Sequence, residues 1–228
     1  MLILATQEQK NFYERKLYPL QDIILNSNEI NYFYLTGGTA LSRFYYNHRF
    51  SDDLDFFCDG LKYTENEFAV FFQRFVYSIE NEFDEINVTL NNKFFKRLFV
   101  KKNNIELKIE FIYEAIKTIG EKIKKNNFYL DNKKNICVNK ITAITDRKTY
   151  KDFLDLYFLL KELDFQEVIK CSEYKMVPLD YESAILAFQN IDKYIEGDVL
   201  LINDIDEEDF KFFRKKLIEK MLDYAKTK

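Results

Sequence analysis

The apolar and polar positions of this 228-residue chain divide it into a first part with strands and a second part made of helices. In the first part, alternating runs rich in β-branched and aromatic residues predict strands at 31–35, 53–58, 86–90, 94–101 and 105–112. Pairs of Asn separate the last three runs, which is typical of tight hairpin turns because Asn tolerates left-handed backbone. From Val138 onward, the spacing predicts helices over 138–147, 150–163, 165–174, 180–194 and 207–225.

Helical patterns also occur in the first part. Residues 5–26 have helical spacing, and we expect Pro19 to kink or split this segment. A helix is predicted over 38–46, and a capping box at Thr64 and Glu67 predicts another that ends near Phe83. We therefore expect an α/β (α+β) fold: a core of residues 1–135 with a mixed sheet flanked by helices, and a C-terminal helical bundle of residues 136–228 packed on it.

Composition restricts the class of protein. Hydrophobic residues make up 47% of the chain, enough for a sizeable core. Three widely spaced cysteines do not suggest a disulfide framework or a Cys-based zinc site, and no apolar run is long enough to span a bilayer. The N-terminus lacks the pattern of a secretory signal. We expect a cytoplasmic protein with reduced thiols and no membrane partner.

The charge is unevenly distributed. Residues 1–92, 93–151 and 152–228 carry net charges of −7, +10 and −7, which sum to the overall −4. The basic middle segment could follow a polyanion such as nucleic acid, or line a channel for a triphosphate. Alternatively, its lysines only solubilise exposed hairpins and a helix. The sequence leaves both interpretations open.

The candidate chemistry is concentrated between Tyr34 and Phe57. Asp53 and Asp55 alternate with Leu54 and Phe56, so in a strand both carboxylates point to one face and suit a hard divalent cation such as Mg²⁺. Paired glycines open the helix before this strand, where free backbone N–H groups and the helix dipole suit a phosphate. A metal site beside a phosphate site is typical of enzymes that transfer phosphoryl or nucleotidyl groups. Taken alone, each feature is more often a solvated strand end or plain backbone geometry.

A third carboxylate is available on a later strand. In IELKIEFIY the apolar residues share one face, which leaves Glu106, Lys108 and Glu110 on the other. Glu110 could complete a two-metal site, although an ordinary exposed cross-strand charge is the alternative. His48 is the single histidine, which makes a His-based triad or a His-rich metal site difficult to build.

The order of strand, Gly-Gly-Thr, helix and Asp-x-Asp resembles the opening motif of the polymerase-β-like nucleotidyltransferase superfamily. LTGGTAL followed by HR-x-SDDLDFF resembles one branch, the AbiEii/AbiGii-type nucleotidyltransferase toxins. The resemblance implies a nucleotidyltransferase core over residues 1–135 and Mg²⁺ or Mn²⁺ as the cofactor. It also implies site residues: Gly37, Gly38, Thr39, Arg49 and Ser51 around the NTP, with Asp53, Asp55 and Glu110 as metal ligands and the two aspartates as catalytic residues. For Arg49 and Ser51, the alternative is that they only stabilise the turn.

A distal motif lies in VNKITAITDRKTYKDFLDL. From the residues alone, its charges form i,i+4 ion pairs on helix surfaces. The pattern is similar to the distal motif of the AbiEii branch. That similarity implies that Lys140, Arg147 and Lys151 neutralise the triphosphate. It also implies that Asp152 orients one of these cations or contributes to catalysis, while Asp155 fixes their geometry.

The resemblance implies a function as well. We expect a Mg²⁺-dependent enzyme that moves an NMP from an NTP to RNA, such as a tRNA 3′ end. It would be the toxin of a bacterial toxin–antitoxin or phage-defence system and could have a cognate antitoxin. The alternatives are nucleotide transfer to a protein side chain and a nucleotide-binding interaction module without turnover.

Overall fold

The chain forms two compact units, and the structure, a computed structural model, describes residues 2–147, 149–175, 177–193 and 199–226, except for the side chains at 145–147 and 192. One unit is Ala5–Asn132, and the other is Met1–Leu4 with Lys133–Lys228. The strands are β1 (Leu2–Leu4), β2 (Tyr34–Thr36), β3 (Leu54–Asp59), β4 (Glu85–Asn91), β5 (Phe95–Lys102), β6 (Ile105–Glu114), β7 (Ile123–Lys124), β8 (Tyr129–Leu130) and β9 (Val199–Leu201). The α-helices are α1 (Gln7–Phe12), α2 (Tyr18–Leu25), α3 (Gly37–Leu41), α4 (Glu65–Ile79), α5 (Lys133–Arg147), α6 (Tyr150–Glu162), α7 (Phe165–Tyr174), α8 (Tyr181–Gln189) and α9 (Glu207–Ala225).

A seven-stranded mixed sheet organises the first unit, in the order β4-β5-β6-β3-β2-β8-β7. Strands β4, β5 and β6 are successive antiparallel neighbours, as the Asn pairs predicted. The turn between β5 and β6 has Asn103 and Asn104 at positive φ, 51° and 62°, which is the type I′ geometry. Strand β3 lies between β6, to which it is parallel, and β2, to which it is antiparallel. This mixed sheet with flanking helices confirms the predicted fold class.

One face of the sheet is packed against α4. The helix begins at the predicted capping box, Thr64 with Glu67, and ends at Ile79, earlier than predicted because the chain tightens into a 3₁₀ turn. Phe111 of β6 lies at the centre of the aromatic core, with its ring centroid 4.9 Å from that of Phe75 and 4.7 Å from that of Phe33. The opposite face carries the half-buried polar residues of β3.

Several short elements differ from the sequence-based expectation. Residues Asn28–Tyr32 form a 3₁₀ helix instead of the start of a strand, because this turn stacks Tyr32 on Phe71 with ring centroids 4.0 Å apart. The helix predicted over 38–46 is α-helical to Leu41 and π-helical over Ser42–Tyr46. The segment 5–26 is split by a π-helical turn at Tyr13–Leu17, ahead of Pro19, which cannot donate the next backbone hydrogen bond.

The second unit contains α5 to α9, at the positions where helical spacing predicted helices. We expected this unit to be entirely helical, but it also contains a two-stranded sheet in which β1 pairs in parallel with β9. Both strands have only three residues, and their partners are nearly two hundred residues apart, so neither gives a local sequence signal. A bilayer-spanning helix is not found among the described residues.

Replacing Phe111 with Ala should destabilise the first unit strongly, because it removes a fully buried ring from the aromatic core. We expect a loss of about 3–5 kcal/mol in the free energy of unfolding, measured by urea denaturation. Phe94→Ala is the matched control, since its side chain is 51% exposed. An equal loss in the two variants would contradict this description of the core.

Candidate active site

Four strands bring polar residues into one row across the open face of the sheet. Arg97 of β5 is in register with Glu110 of β6, and Glu110 is in register with Asp55 of β3. Asp55 in turn pairs with Thr36, the last residue of β2. Paired residues on neighbouring strands point to the same face, so the row joins the carboxylates to the glycine turn.

Asp53 and Asp55 have the environment that the alternating pattern predicted. Both are half-buried, whereas Leu54 and Phe56 between and after them are fully buried in the core. Asp55 lies in the row, on a strand that is paired on both sides, and Asp53 immediately precedes this strand.

Two cations of β5 and β6 occupy the carboxylate region. Arg97 Nε lies 2.6 Å from Glu110 Oε1, and Lys108 Nζ lies 2.7 Å from Asp53 Oδ2 and 3.6 Å from Glu110 Oε1. Burial alone would lower the pKa of Lys108. The hydrogen bond to Asp53 and the negative charges of Asp53, Glu110 and Asp55 outweigh it, so the pKa of Lys108 is raised. Three carboxylates thus concentrate negative charge on one ammonium group.

The donor chemistry fits a hard divalent cation, with the ammonium of Lys108 standing in for its charge. Within the described residues, no group of three His, Cys, Asp or Glu side chains is close enough together to hold a metal ion. Of the three carboxylates, that of Glu110 is also held by Arg97.

The glycine turn lies directly against these groups. Gly37 has a φ of 70°, and a Cβ atom there would lie 2.7 Å from Asp55 Oδ2. A Cβ atom on Gly38 would lie 2.5 Å from Arg49 Nη2 and 3.2 Å from Ser51 Oγ. The two glycines therefore allow the backbone to approach both the carboxylate and the guanidinium, which is where larger residues would clash.

Thr39 and Arg49 tie this turn to the strand that follows it. The buried Thr39 hydroxyl donates to the backbone carbonyl of Asp53 and lies 2.9 Å from Ser51 Oγ. Arg49 is 3% exposed, and its Nη1 donates to the carbonyl of Phe50 at 3.0 Å. These contacts tie the glycine turn to the segment that leads into β3.

The distal motif forms a buried ion-pair cluster in the second unit. Lys140 Nζ of α5 lies 2.6 Å from Asp152 Oδ1 and 2.7 Å from Asp155 Oδ2, both on α6. The pairs join two helices instead of running along one helix surface. Burial alone would raise the pKa of Asp152, but its interactions with Lys140 and Thr149 lower it. Lys151 is exposed, and the side chain of Arg147 lies outside the described residues.

Sequence reasoning missed Asp131, Arg97 and Lys108 as members of the polar network. Asp131 is fully buried after β8, and its Oδ2 accepts a hydrogen bond of 2.8 Å from Thr36 Oγ1, which extends the row by one residue. Strand β8 has two residues, too few for a periodic signal. Arg97 and Lys108 were visible only as charges on strands whose register the sequence does not specify.

Many cations of the basic segment are already paired. Pairs with distances of 2.5–2.7 Å join Lys93 to Glu65, Arg97 to Glu110, Lys122 to Asp59, Lys133 to Glu162 and Lys134 to Glu167. The acidic and basic segments of the sequence therefore compensate each other within each unit. Lys101, Lys102, Lys124 and Lys125 form no ion pair with another described residue.

The fold and this site define a nucleotidyltransferase. The family described as "Nucleotidyl transferase AbiEii toxin, Type IV TA system" matches residues 20–227. The chain belongs to the AbiEii nucleotidyltransferase toxin family, as its motifs predicted.

One relative and two solved structures are similar to this chain over most of its length. The chain is 30% identical to the uncharacterized protein aq_aa25 of Aquifex aeolicus in an alignment of 201 residues that covers 83% of this chain and 88% of that protein. JHP933 from Helicobacter pylori shares the fold, with 20% identity, a TM-score of 0.60 and coverage of 99% of this chain and 97% of that chain. A putative nucleotidyltransferase from H. pylori shares it too, with 22% identity, a TM-score of 0.61 and coverage of 97% and 99%.

Lys140→Met should destabilise the protein by about 3–5 kcal/mol at pH 7, because it removes the ammonium group that contacts both buried carboxylates. Since the folded-state pKa of Asp152 is lowered, its contribution is present above the unfolded value of about 3.9 and is lost as the pH falls below it. The difference between variant and wild type should therefore shrink below about pH 4, measured by urea unfolding across pH.

Lys161→Met is the matched control. Lys161 also lies 2.7 Å from a carboxylate, Asp209, but this pair is exposed, so solvent screens it. Equal effects of the two substitutions would show that burial does not govern the Lys140 cluster.

Proposed function

We propose that this AbiEii-family enzyme transfers an NMP from an NTP to an RNA acceptor in a Mg²⁺-dependent reaction. The observation that carries the proposal is the close approach of the Gly37–Gly38 turn to both Asp55 and Arg49. It brings the backbone of the turn close to both a cation and a carboxylate within one unit.

The NTP would bind at Gly37, Gly38 and Thr39. Backbone at a glycine turn can approach phosphate oxygens closely, and the Arg49 guanidinium behind Gly38 supplies positive charge to this turn. Ser51 would contact phosphate or keep Arg49 in position. Thr39, whose hydroxyl donates to the backbone carbonyl of Asp53, would act mainly by holding the turn against the segment that leads into β3.

Asp53 and Asp55 would hold Mg²⁺ or Mn²⁺, with Glu110 as a third carboxylate. When bound, the divalent cation supplies neutralisation of the phosphate charge and polarisation of the reacting oxygens. Lys108 would have to release Asp53 on metal binding. Its ammonium group would then be available to the triphosphate.

The reaction is an in-line displacement. An acceptor hydroxyl oxygen forms a bond to the α-phosphorus as the bond to the bridging oxygen breaks, and pyrophosphate leaves with that electron pair. The hydroxyl proton passes to a carboxylate of the row. Asp53 and Asp55 would contribute by positioning the divalent cation, whose positive charge would offset that of the phosphates, without a covalent intermediate.

The distal motif would act on the same triphosphate. Arg147 and Lys151 would neutralise its charge, and Lys140 with Asp152 would take part in catalysis. The pairing of Lys140 with two carboxylates supports a positioning role for this cluster, in which the buried Asp155 holds Lys140 in place.

RNA, such as a tRNA 3′ end, is the acceptor we favour, in a cytoplasmic toxin with a cognate antitoxin and a role in phage defence. The family description supports the toxin–antitoxin setting. Lys101 and Lys102 on β5 support a polyanionic acceptor, because no described carboxylate forms an ion pair with them. Transfer to a protein side chain is the alternative, and nucleotide binding without turnover is a third hypothesis.

Asp55→Asn should abolish transfer while leaving the fold intact, because Asn keeps the shape but removes a negative ligand. We expect a drop of about 100-fold or more in the rate of label incorporation from α-labelled NTPs into total RNA. Asp52→Asn is the matched control: Asp52 is exposed and accepts a hydrogen bond from Tyr13 that Asn can also accept. Undiminished activity in the Asp55→Asn variant would contradict the proposed role of Asp55 as a metal ligand.

The acceptor can be tested by charge reversal. If RNA contacts Lys101 and Lys102, replacing both with Glu should weaken transfer to RNA, and rising salt should do the same because phosphate contacts release counterions. NTP affinity should not change. The control is the same double reversal at Lys215 and Lys216 of α9. Labelled polypeptide, with a rate insensitive to salt and to the reversals, would favour the protein acceptor.

A further inference from the structure

A second polar pocket lies at the opposite end of β2 and β3 from the glycine turn. It consists of two adjoining cavities, of about 360 Å³ and 170 Å³, which share five lining residues. We call it the tyrosine pocket; it is lined by Asn28, Asn31, Tyr32, Phe33, Tyr34, Asp59, Lys62, Tyr63, Lys122, Lys124, Asn126, Asn127, Phe128 and Tyr129. Its residues belong to the first unit.

Two residues of the pocket lining, Tyr34 and Asp59, lie on the same face of the sheet as the carboxylate row. Asp55, Phe57 and Asp59 alternate along β3 on this face, and all three are half-buried. Four residues of extended strand separate Asp55 from Asp59, which corresponds to about 13 Å. The edge of the tyrosine pocket at Asp59 therefore lies on the same strand and face as Asp55, with Phe57 between them.

The aromatic rings of this pocket are held in place by the core. Tyr32 stacks on Phe71 at a centroid distance of 4.0 Å and an interplanar angle of 9°. Tyr63 meets the same Phe71 ring edge-on, at 5.0 Å and 82°, and Tyr113 donates a hydrogen bond of 2.8 Å to the Tyr63 carbonyl. Rings fixed in this way offer stacking surface without a cost of ordering them.

The polar groups around these rings are the donors and acceptors that nucleotides require. The amides of Asn31 and Asn126 and the ammonium of Lys124 form no side-chain hydrogen bond or ion pair with other described residues. Asn side chains match base edges, and Lys matches phosphate. Three lysines line the pocket against one aspartate, Asp59, which is paired with Lys122 at 2.7 Å.

We infer that the tyrosine pocket binds an unpaired nucleotide of a single-stranded RNA, with its base against Tyr63 and its phosphate at Lys124. The inference rests on the proposed RNA acceptor and deepens it, since it gives the acceptor strand an anchor away from the reacting end. Single-stranded nucleic acid is typically bound by aromatic stacking combined with a basic surface. An acidic peptide would use the lysines but not the tyrosine faces and the amides.

The test measures binding in the absence of NTP, on the full chain. The probe is a fluorescein-labelled eight-nucleotide single-stranded RNA of mixed A and U, followed by anisotropy. Tyr63→Leu should weaken binding about 10-fold by removing the stacking surface. Lys124→Glu should also weaken it and reduce the salt slope by about one. Lys16→Glu, an exposed lysine outside the pocket, should behave as wild type. Thermal melting confirms that each variant is folded.

Three outcomes would overturn the inference. The first is unchanged affinity in both pocket variants, and the second is equal binding of a blunt RNA duplex. The third is that AMP or UMP displaces the probe at the same concentration at which the unlabelled oligonucleotide displaces it. The last would assign the pocket to a free nucleotide. Label transfer is measured separately. Label on protein alone refutes the RNA acceptor even if the pocket variants lose the probe, whereas label on RNA with unaffected probe binding refutes only the pocket.

Discussion

The pairing of β3 with a neighbour on each side is the constraint on which the site depends. Backbone hydrogen bonds to β2 place Asp55 opposite Thr36, and those to β6 place it opposite Glu110. Because side chains alternate, a shift of one residue in either register would exchange the carboxylates with the core residues Leu54 and Phe56. The burial of those two side chains therefore fixes which way the aspartates point, and core packing and the chemistry of the site share one cause.

Electrostatic compensation is the second general feature. The uneven charge along the sequence becomes a set of ion pairs in which basic side chains meet acidic ones, including Lys108 with Asp53 and Lys140 with two carboxylates. The site in the first unit and the cluster in the second unit differ in burial: Asp53 and Lys108 are about one-third exposed, whereas Lys140 and Asp155 are nearly or fully buried. The first arrangement can exchange partners with a ligand, while the second is suited to holding a fixed position.

The sequence predicted the parts of the fold that have local signals. Alternation over eight or ten residues identified β5 and β6, and the Thr64–Glu67 capping box located α4. The face shared by Asp53 and Asp55 also followed from period two. The rest depends on contacts between distant segments: β1 and β9 have three residues each, β8 has two, and Asp131 reaches Thr36 only through β8. The role of Lys108 could not be predicted because it depends on the register of β6 against β3.

The central claim is that Asp53 and Asp55 hold the catalytic metal beside a triphosphate at the glycine turn. The most direct measurement is a crystal structure with Mn²⁺ and a non-hydrolysable NTP analogue, using the anomalous signal of manganese. We expect an anomalous peak at Asp53 and Asp55, phosphate oxygens against Gly37 and Gly38, and Lys108 released from Asp53. Manganese bound elsewhere, with the Lys108–Asp53 pair intact and the nucleotide present, would contradict it.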